Sequence, residues 1–180
     1  ASIVAKGGGR VLLHCPGPLV RLLKTLEGIA GCVADGDPLP EYDVKYALLD
    51  LPGLLGTELA TIPGDCPYLS PPTRTHPDRS DDQVLRVGLV WAGNSAHQRD
   101  RDRSCPLSTF APLLAQPGAA FYGLQTGPQA EELEACGFDG LIRDLGSELS
   151  DFAHTADILA QLDLLVTVDT AAAHLAGALA

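Results

Sequence analysis

The chain has 180 residues and a formal net charge of −11, from 12 Lys plus Arg against 23 Asp plus Glu. That length allows one ordinary domain or two small α/β units. With 46% hydrophobic and 19% charged residues it can bury a core, which excludes global disorder. So acidic a surface repels phosphate backbones, so no nucleic acid is expected as a partner. A small nucleotide in a pocket stays allowed.

Apolar runs in the first half are short. Residues 10–15 read as a buried strand, and residues 16–27 carry Leu19, Leu22, Leu23 and Leu26 at helical spacing, with Gly28 ending the helix. Residues 32–34 form a short second strand, residues 42–49 a third strand candidate, and residues 51–59 a short helix broken by glycines. From residue 63 to about 83, prolines alternate with Ser, Thr, Asp and Arg and no periodicity survives. That composition predicts a linker.

The second half restarts with a strand over residues 85–91 and a polar loop over 93–104. A helix is expected over 106–114, a strand over 120–124 and an acidic helix over 128–136 closed by Gly137. Leu141 and Ile142 suggest a short strand, and Ser150 is placed to cap a helix running to Leu162. Residues 164–168 form a continuous apolar strand, as in a parallel sheet covered on both faces, and residues 170–180 are again helical. This alternation predicts an α/β fold of two doubly wound units. They divide as a partial N-terminal lobe over 1–70, a linker over 71–84 and a C-terminal lobe over 85–180. The last helix has no glycine cap and no strand after it, so truncation of the C-terminal lobe is expected. Methionine is absent, position 1 included, so the chain is expected to be processed, excised from something longer, or trimmed.

The five cysteines lie far apart and form no CxxC pair, which favours free thiols in a reducing cytoplasm. No apolar run reaches the ~18 residues of a membrane span. No P-loop, GxSxG, HExxH or GxGxxG occurs.

Ligands of open α/β sheets lie beyond the carboxyl ends of the strands, against helix N-termini. Three loops qualify. Residues 169–174 pass from a strand into a helix, and their small side chains at 171–173 let a diphosphate approach the first-turn N–H groups. Asp169 as a simple N-cap is the competing reading. The loop at 93–104 holds three arginines, one histidine and two aspartates. It suits phosphate oxygens, or else pairs its own charges in solvent. A metal held by His97, Asp100 and Asp102 is disfavoured, because nothing fixes a coordination geometry. The loop at 125–128 offers polar side chains to a base or ribose.

Residues 85–94, His97, the arginine-rich stretch ending in Arg103 and Ser104, and Pro106–Leu107 together resemble the heptosyltransferase-like proteins. These are glycosyltransferase family 9, with the GT-B fold, often fused behind tetratricopeptide repeats. The match continues through Leu124–Gln125, Gly127–Pro128, residues 144–146, residues 151–153, Thr155 and residues 162–164, and ends in residues 168–170 and 174–178. It is strong over 85–180 and weaker over 10–70.

The resemblance implies two Rossmann-like lobes and a metal-independent transferase of hexosyl or heptosyl units. Its substrate would be a nucleotide-diphosphate sugar and its acceptor a saccharide or protein, with no cofactor. Asp169, Thr170 and the N–H groups of Ala171 and Ala172 would hold the donor, with His174 beside them and Asn94 on the sugar–phosphate side. Gln125 and Thr126 belong to the same donor site, and His97 is the catalytic candidate. Gln98 and Thr126 depart from the family pattern, so Arg99 or Arg101 would supply the missing phosphate-binding cation, with Arg103 also in reach. The strand and loop that usually supply the acceptor-side base are not expected before residue 10. The alternative is therefore a non-catalytic GT-B-like module that binds a nucleotide sugar or a protein partner.

Overall fold

The computed structural model describes residues 1–72 and 84–180, and the linker expected over 71–84 lies almost wholly outside them. Two parallel sheets make the α/β fold. After a short helix α1 (Ser2–Lys6) that the sequence pattern did not suggest, β1 (Leu12–Cys15), α2 (Gly17–Leu23) and β2 (Gly31–Ala34) form one β-α-β unit. β1 and β2 pair in parallel from Leu12↔Gly31 to Cys15↔Ala34. Gly28 ends the turn after α2 at φ +80°, a conformation side chains resist.

The expected strand at 42–49 is absent. Tyr42, Val44, Tyr46 and Leu48 are all more than half exposed, and only a 3-10 turn forms, at Leu48–Asp50. Alternation fits a strand, but a strand exists only where a ladder partner satisfies its N–H and C=O groups, and among the described residues β1–β2 pairs with nothing further. The helix expected over 51–59 shrinks to α3 (Leu51–Leu54). Residues 66–69 are docked against the last helix. The amides of Tyr68 and Leu69 donate to the Ala178 carbonyl at 3.0 and 3.1 Å, and Cys66 Sγ donates to the Gly177 carbonyl.

The second sheet has the order β5-β4-β3-β6, all parallel. Its strands are β3 (Leu85–Val90), β4 (Ala119–Gly123), β5 (Ile142–Asp144) and β6 (Leu164–Thr167). Alternation along β3 feeds two cores. Val87, Leu89 and Trp91 pack with Leu107, Phe121, Leu133 and Ile142 on one face. On the other, Val90 packs with Leu124, Leu175 and helix α6 (Phe152–Leu159), which buries Ala153, Ala156 and Leu159. The helices expected at 106–114 and 128–136 each begin as a 3-10 turn and end as one α-turn, α4 (Ala111–Leu114) and α5 (Glu132–Ala135). β6 is less buried than its run of apolar residues suggested, with Leu164 46% exposed, because among the described residues it pairs with β3 alone. Helix α7 (Ala171–Leu179) follows it.

The two sheets are bridged by helices. Leu22 of α2 is 2% exposed and sits in the core formed by α6 and α7. Beside it the Arg21 guanidinium makes a two-pronged contact with Asp151, Nε to Oδ2 at 2.8 Å and Nη2 to Oδ1 at 2.7 Å. Among the described residues no helix is long and apolar enough to cross a membrane.

Candidate ligand-binding site

The strand order runs outward from β3 through β4 to β5, then returns to β6 on the other side of β3. Loops leaving the carboxyl ends on either side of such a reversal diverge and leave a crevice. A cavity of about 680 Å³ lies there. It is lined by residues 92–95 after β3, 124–129 after β4, 149–152 before and into α6, and 170–172 at the start of α7, with Pro18 from α2. The three loops singled out in the sequence therefore meet.

The expected residues divide into two groups. Asn94, Gln125, Thr126, Thr170, Ala171 and Ala172 line the cavity. His97, Arg99, Arg101, Asp169 and His174 do not. His97 is exposed, and its Nδ1 accepts from the Arg99 amide at 3.3 Å. Arg99 pairs with Asp102 in solvent at 3.1 Å, as the self-paired reading of this loop anticipated. Arg101 is exposed too, so neither arginine supplies the cavity's cation. Asp169 is not the N-cap: that position is Thr170, whose side chain makes no cap bond. The Asp169 carboxylate is instead exposed, 3.7 Å from His174 Nε2.

Arg103 is the basic side chain that does line the cavity, among the described residues. Its Nε donates to Asp100 Oδ1 at 3.2 Å and its Nη1 to the Asp169 carbonyl at 2.9 Å. The guanidinium thus ties the 93–104 loop to the turn before α7. A Cβ on Gly93 would overlap Asp100 Oδ1 and the Arg103 guanidinium, so only glycine lets them approach the β3 end. With Asp100 held by Arg103 and Asp102 by Arg99, the carboxylates of this loop are both paired. No group of three or more His, Cys, Asp or Glu is gathered to hold a metal among the described residues.

Gln125 is at the cavity but its side chain is fully engaged. It is 3% exposed, its Oε1 accepts from the amides of Trp91 and Ala92, and its Nε2 donates to the Thr126 carbonyl. Asp151, whose position in the site the sequence did not reveal, caps α6 by accepting from the His154 amide at 2.8 Å. Hydrogen bonding from Arg21 holds its carboxyl below the usual aspartate range, helped by the His154 amide and opposed by burial. Its partner lies 130 residues away in sequence, so no local signal could have found it.

No family model, curated protein or solved structure matches this chain.

All five cysteines are free thiols. Burial pushes Cys15, Cys32 and Cys105 above the ordinary thiol value, which keeps them protonated and poor nucleophiles.

At the floor of the cavity α7 begins with three alanines, and the Ala173 amide turns back to the Thr170 carbonyl. The first N–H groups of a helix have no partner within it, and the helix dipole adds partial positive charge there. With the Arg103 guanidinium this puts positive charge on one side of the cavity, while Asp100 pairs with Arg103 and the Asp151 carboxylate, held by Arg21, lines another wall. Polar groups of Asn94, Ser95, Thr126, Ser150 and Thr155 surround the remaining wall.

Proposed function

We propose that this chain is a nucleotide-sugar-binding unit of a heptosyltransferase-like glycosyltransferase, with two lobes in the GT-B manner. The observation that carries the reading is the convergence of the 92–95 loop, the 124–129 loop, Arg103 and the α7 N-terminus on one cavity. The diphosphate of the donor would lie against Ala171, Ala172 and Arg103. Hydroxyls and amides of Asn94, Ser95 and Thr126 suit a sugar or ribose. Such a site offsets leaving-group charge with N–H groups and a guanidinium, and needs no metal to do so.

A second reading, a non-catalytic module that binds the same donor, is favoured by one observation. Among the described residues the titratable side chains lining the cavity are Arg103 and Asp151, and Asp151 is bound by Arg21. His97 faces away. Neither lining group is available as a general base, so donor binding is the activity the site supports most directly, and the acceptor stays unassigned.

Calorimetric titration of ADP and UDP into wild type, Ala172→Glu and Arg103→Lys tests the reading. A carboxylate in the first turn suits the helix dipole, but Ala172 is partly buried against the core of α6 and α7. Thermal melting must therefore first show that Ala172→Glu is folded, and the folded variant should bind at least about tenfold more weakly. Arg103→Lys keeps the charge but loses the planar fork, and should weaken binding less. Failure of both nucleotides to bind wild type at millimolar concentration, or equal binding by Ala172→Glu, would place any donor site elsewhere.

A further inference from the structure

β3 projects beyond the ladder, and its next backbone N–H groups are met by side chains. The amides of Trp91 and Ala92 donate to one atom, Gln125 Oε1, at 3.1 and 2.9 Å. The Gly93 amide donates to Ser104 Oγ at 2.9 Å. Gln125 Nε2 donates in turn to the Thr126 carbonyl at 2.9 Å, and the Trp91 indole N–H donates to the Gln129 carbonyl at 3.2 Å. Two donors converging on one atom of a buried carboxamide fix that atom as the oxygen.

We propose that Gln125 is a positioning residue for the cavity: its amide splints the end of β3 to the loop after β4, so that Asn94, Ser95 and Thr126 present a fixed wall to the ligand. The inference rests on the reading above, in which that ligand is a nucleoside diphosphate. The chemistry selects glutamine. One uncharged group must accept two N–H bonds and donate one while 3% exposed. Methionine has the same reach but orphans both N–H groups. Glutamate keeps both acceptor contacts and loses the donor to Thr126. Asparagine is one methylene short. A second tether reinforces the arrangement, because the Gly146 backbone is pressed against the Gln125 main chain and fixes where the side chain starts.

Backbone amide exchange, thermal melting and UDP titration on Gln125→Met, Gln125→Glu and a surface control, Gln116→Met, separate positioning from general stability. In Gln125→Met the Trp91 and Ala92 amides should exchange at least about tenfold faster than in wild type, as expected when two buried donors lose their acceptor. UDP should bind that variant about tenfold more weakly, while the control changes neither readout. Gln125→Glu should keep slow exchange at those two amides, because its carboxylate still accepts both, and it supplies the reading if Gln125→Met does not fold. Unchanged exchange in Gln125→Met, fast exchange in Gln125→Glu, or undiminished UDP binding by Gln125→Met would overturn the inference. If wild type binds ADP and not UDP, ADP replaces UDP in the titration, whereas failure of both to bind wild type would overturn the nucleotide reading and, with it, the ligand half of this one.

Discussion

Single residues at this site act through close approach and paired charge. A Cβ on Gly146 would run into the Gln125 main-chain carbonyl, and backbone cannot swing aside as a side-chain tip can. Gly146→Ala should therefore cost about 1–3 kcal/mol of stability, read from urea denaturation. Asp151 carries a pH signature. Its carboxyl titrates lower in the folded protein than in the unfolded chain, so the ionised form favours folding. That contribution is complete above the ordinary aspartate value of about 3.9 and is lost as pH falls through the lowered folded value. Asp151→Asn should thus be less stable than wild type at pH 7, and the gap should narrow by pH 3. A constant gap across that range would contradict the assignment. The family resemblance runs through both positions, but nothing in the sequence shows the contact that either makes. A glycine needed for close approach looks like any other glycine, and an aspartate before a helix reads as a cap whether or not an arginine holds it. Ser150, the cap expected one residue early, differs from Asp151 only in which side chain reaches the His154 amide.

At the scale of elements, α2 is held to the larger sheet by Leu22 and by the Arg21–Asp151 contact. Leu22 is its one fully buried residue. Leu22→Ala should cost about 2–5 kcal/mol, and amide exchange in β1 and β2 should accelerate more than in β3 and β4. Equal acceleration everywhere would mean that α2 folds as one cooperative unit with the large sheet. The helical spacing of Leu19, Leu22 and Leu23 made the element legible. Its partner was not legible, because spacing gives a face and not what the face meets. The strand expected at 42–49 shows the converse: its local pattern is sound, but the ladder that would make it a strand is missing. Element boundaries moved for local reasons, as where the prolines at 106 and 128 start their segments as 3-10 turns.

Across the whole molecule, order should follow the sheets. Two paired strands alone are marginal in water, whereas four with helices on both faces bury two clusters. Hydrogen exchange in native conditions should therefore give the strongest protection at Val87, Leu89 and Phe121 and markedly weaker protection at Leu13 and Val33. Protection in β1–β2 equal to that in β3–β4 would show that α2 packing makes the two sheets one cooperative body. The stretch from Tyr42 to Ile62, with Leu48, Leu49 and Leu59 each more than three-quarters exposed, should be the least protected of all.

The sequence by itself determined the α/β class, most of the strands, and the three loops that meet at the cavity. Those depend on local signals: short apolar runs, helical spacing, and small or polar residues where a strand hands over to a helix. Tertiary structure alone decided which side chains in those loops face inward. Arg103 enters while Arg99 and Arg101 stay in solvent, because Gly93 opens room beside Asp100 and the Asp169 carbonyl lies within reach of one guanidinium. Gln125 braces backbone because β3 outruns its ladder and leaves N–H groups to satisfy. Hydrogen-bond demand at a strand end and clearance between backbones are set by neighbours distant in sequence, and no local pattern encodes them.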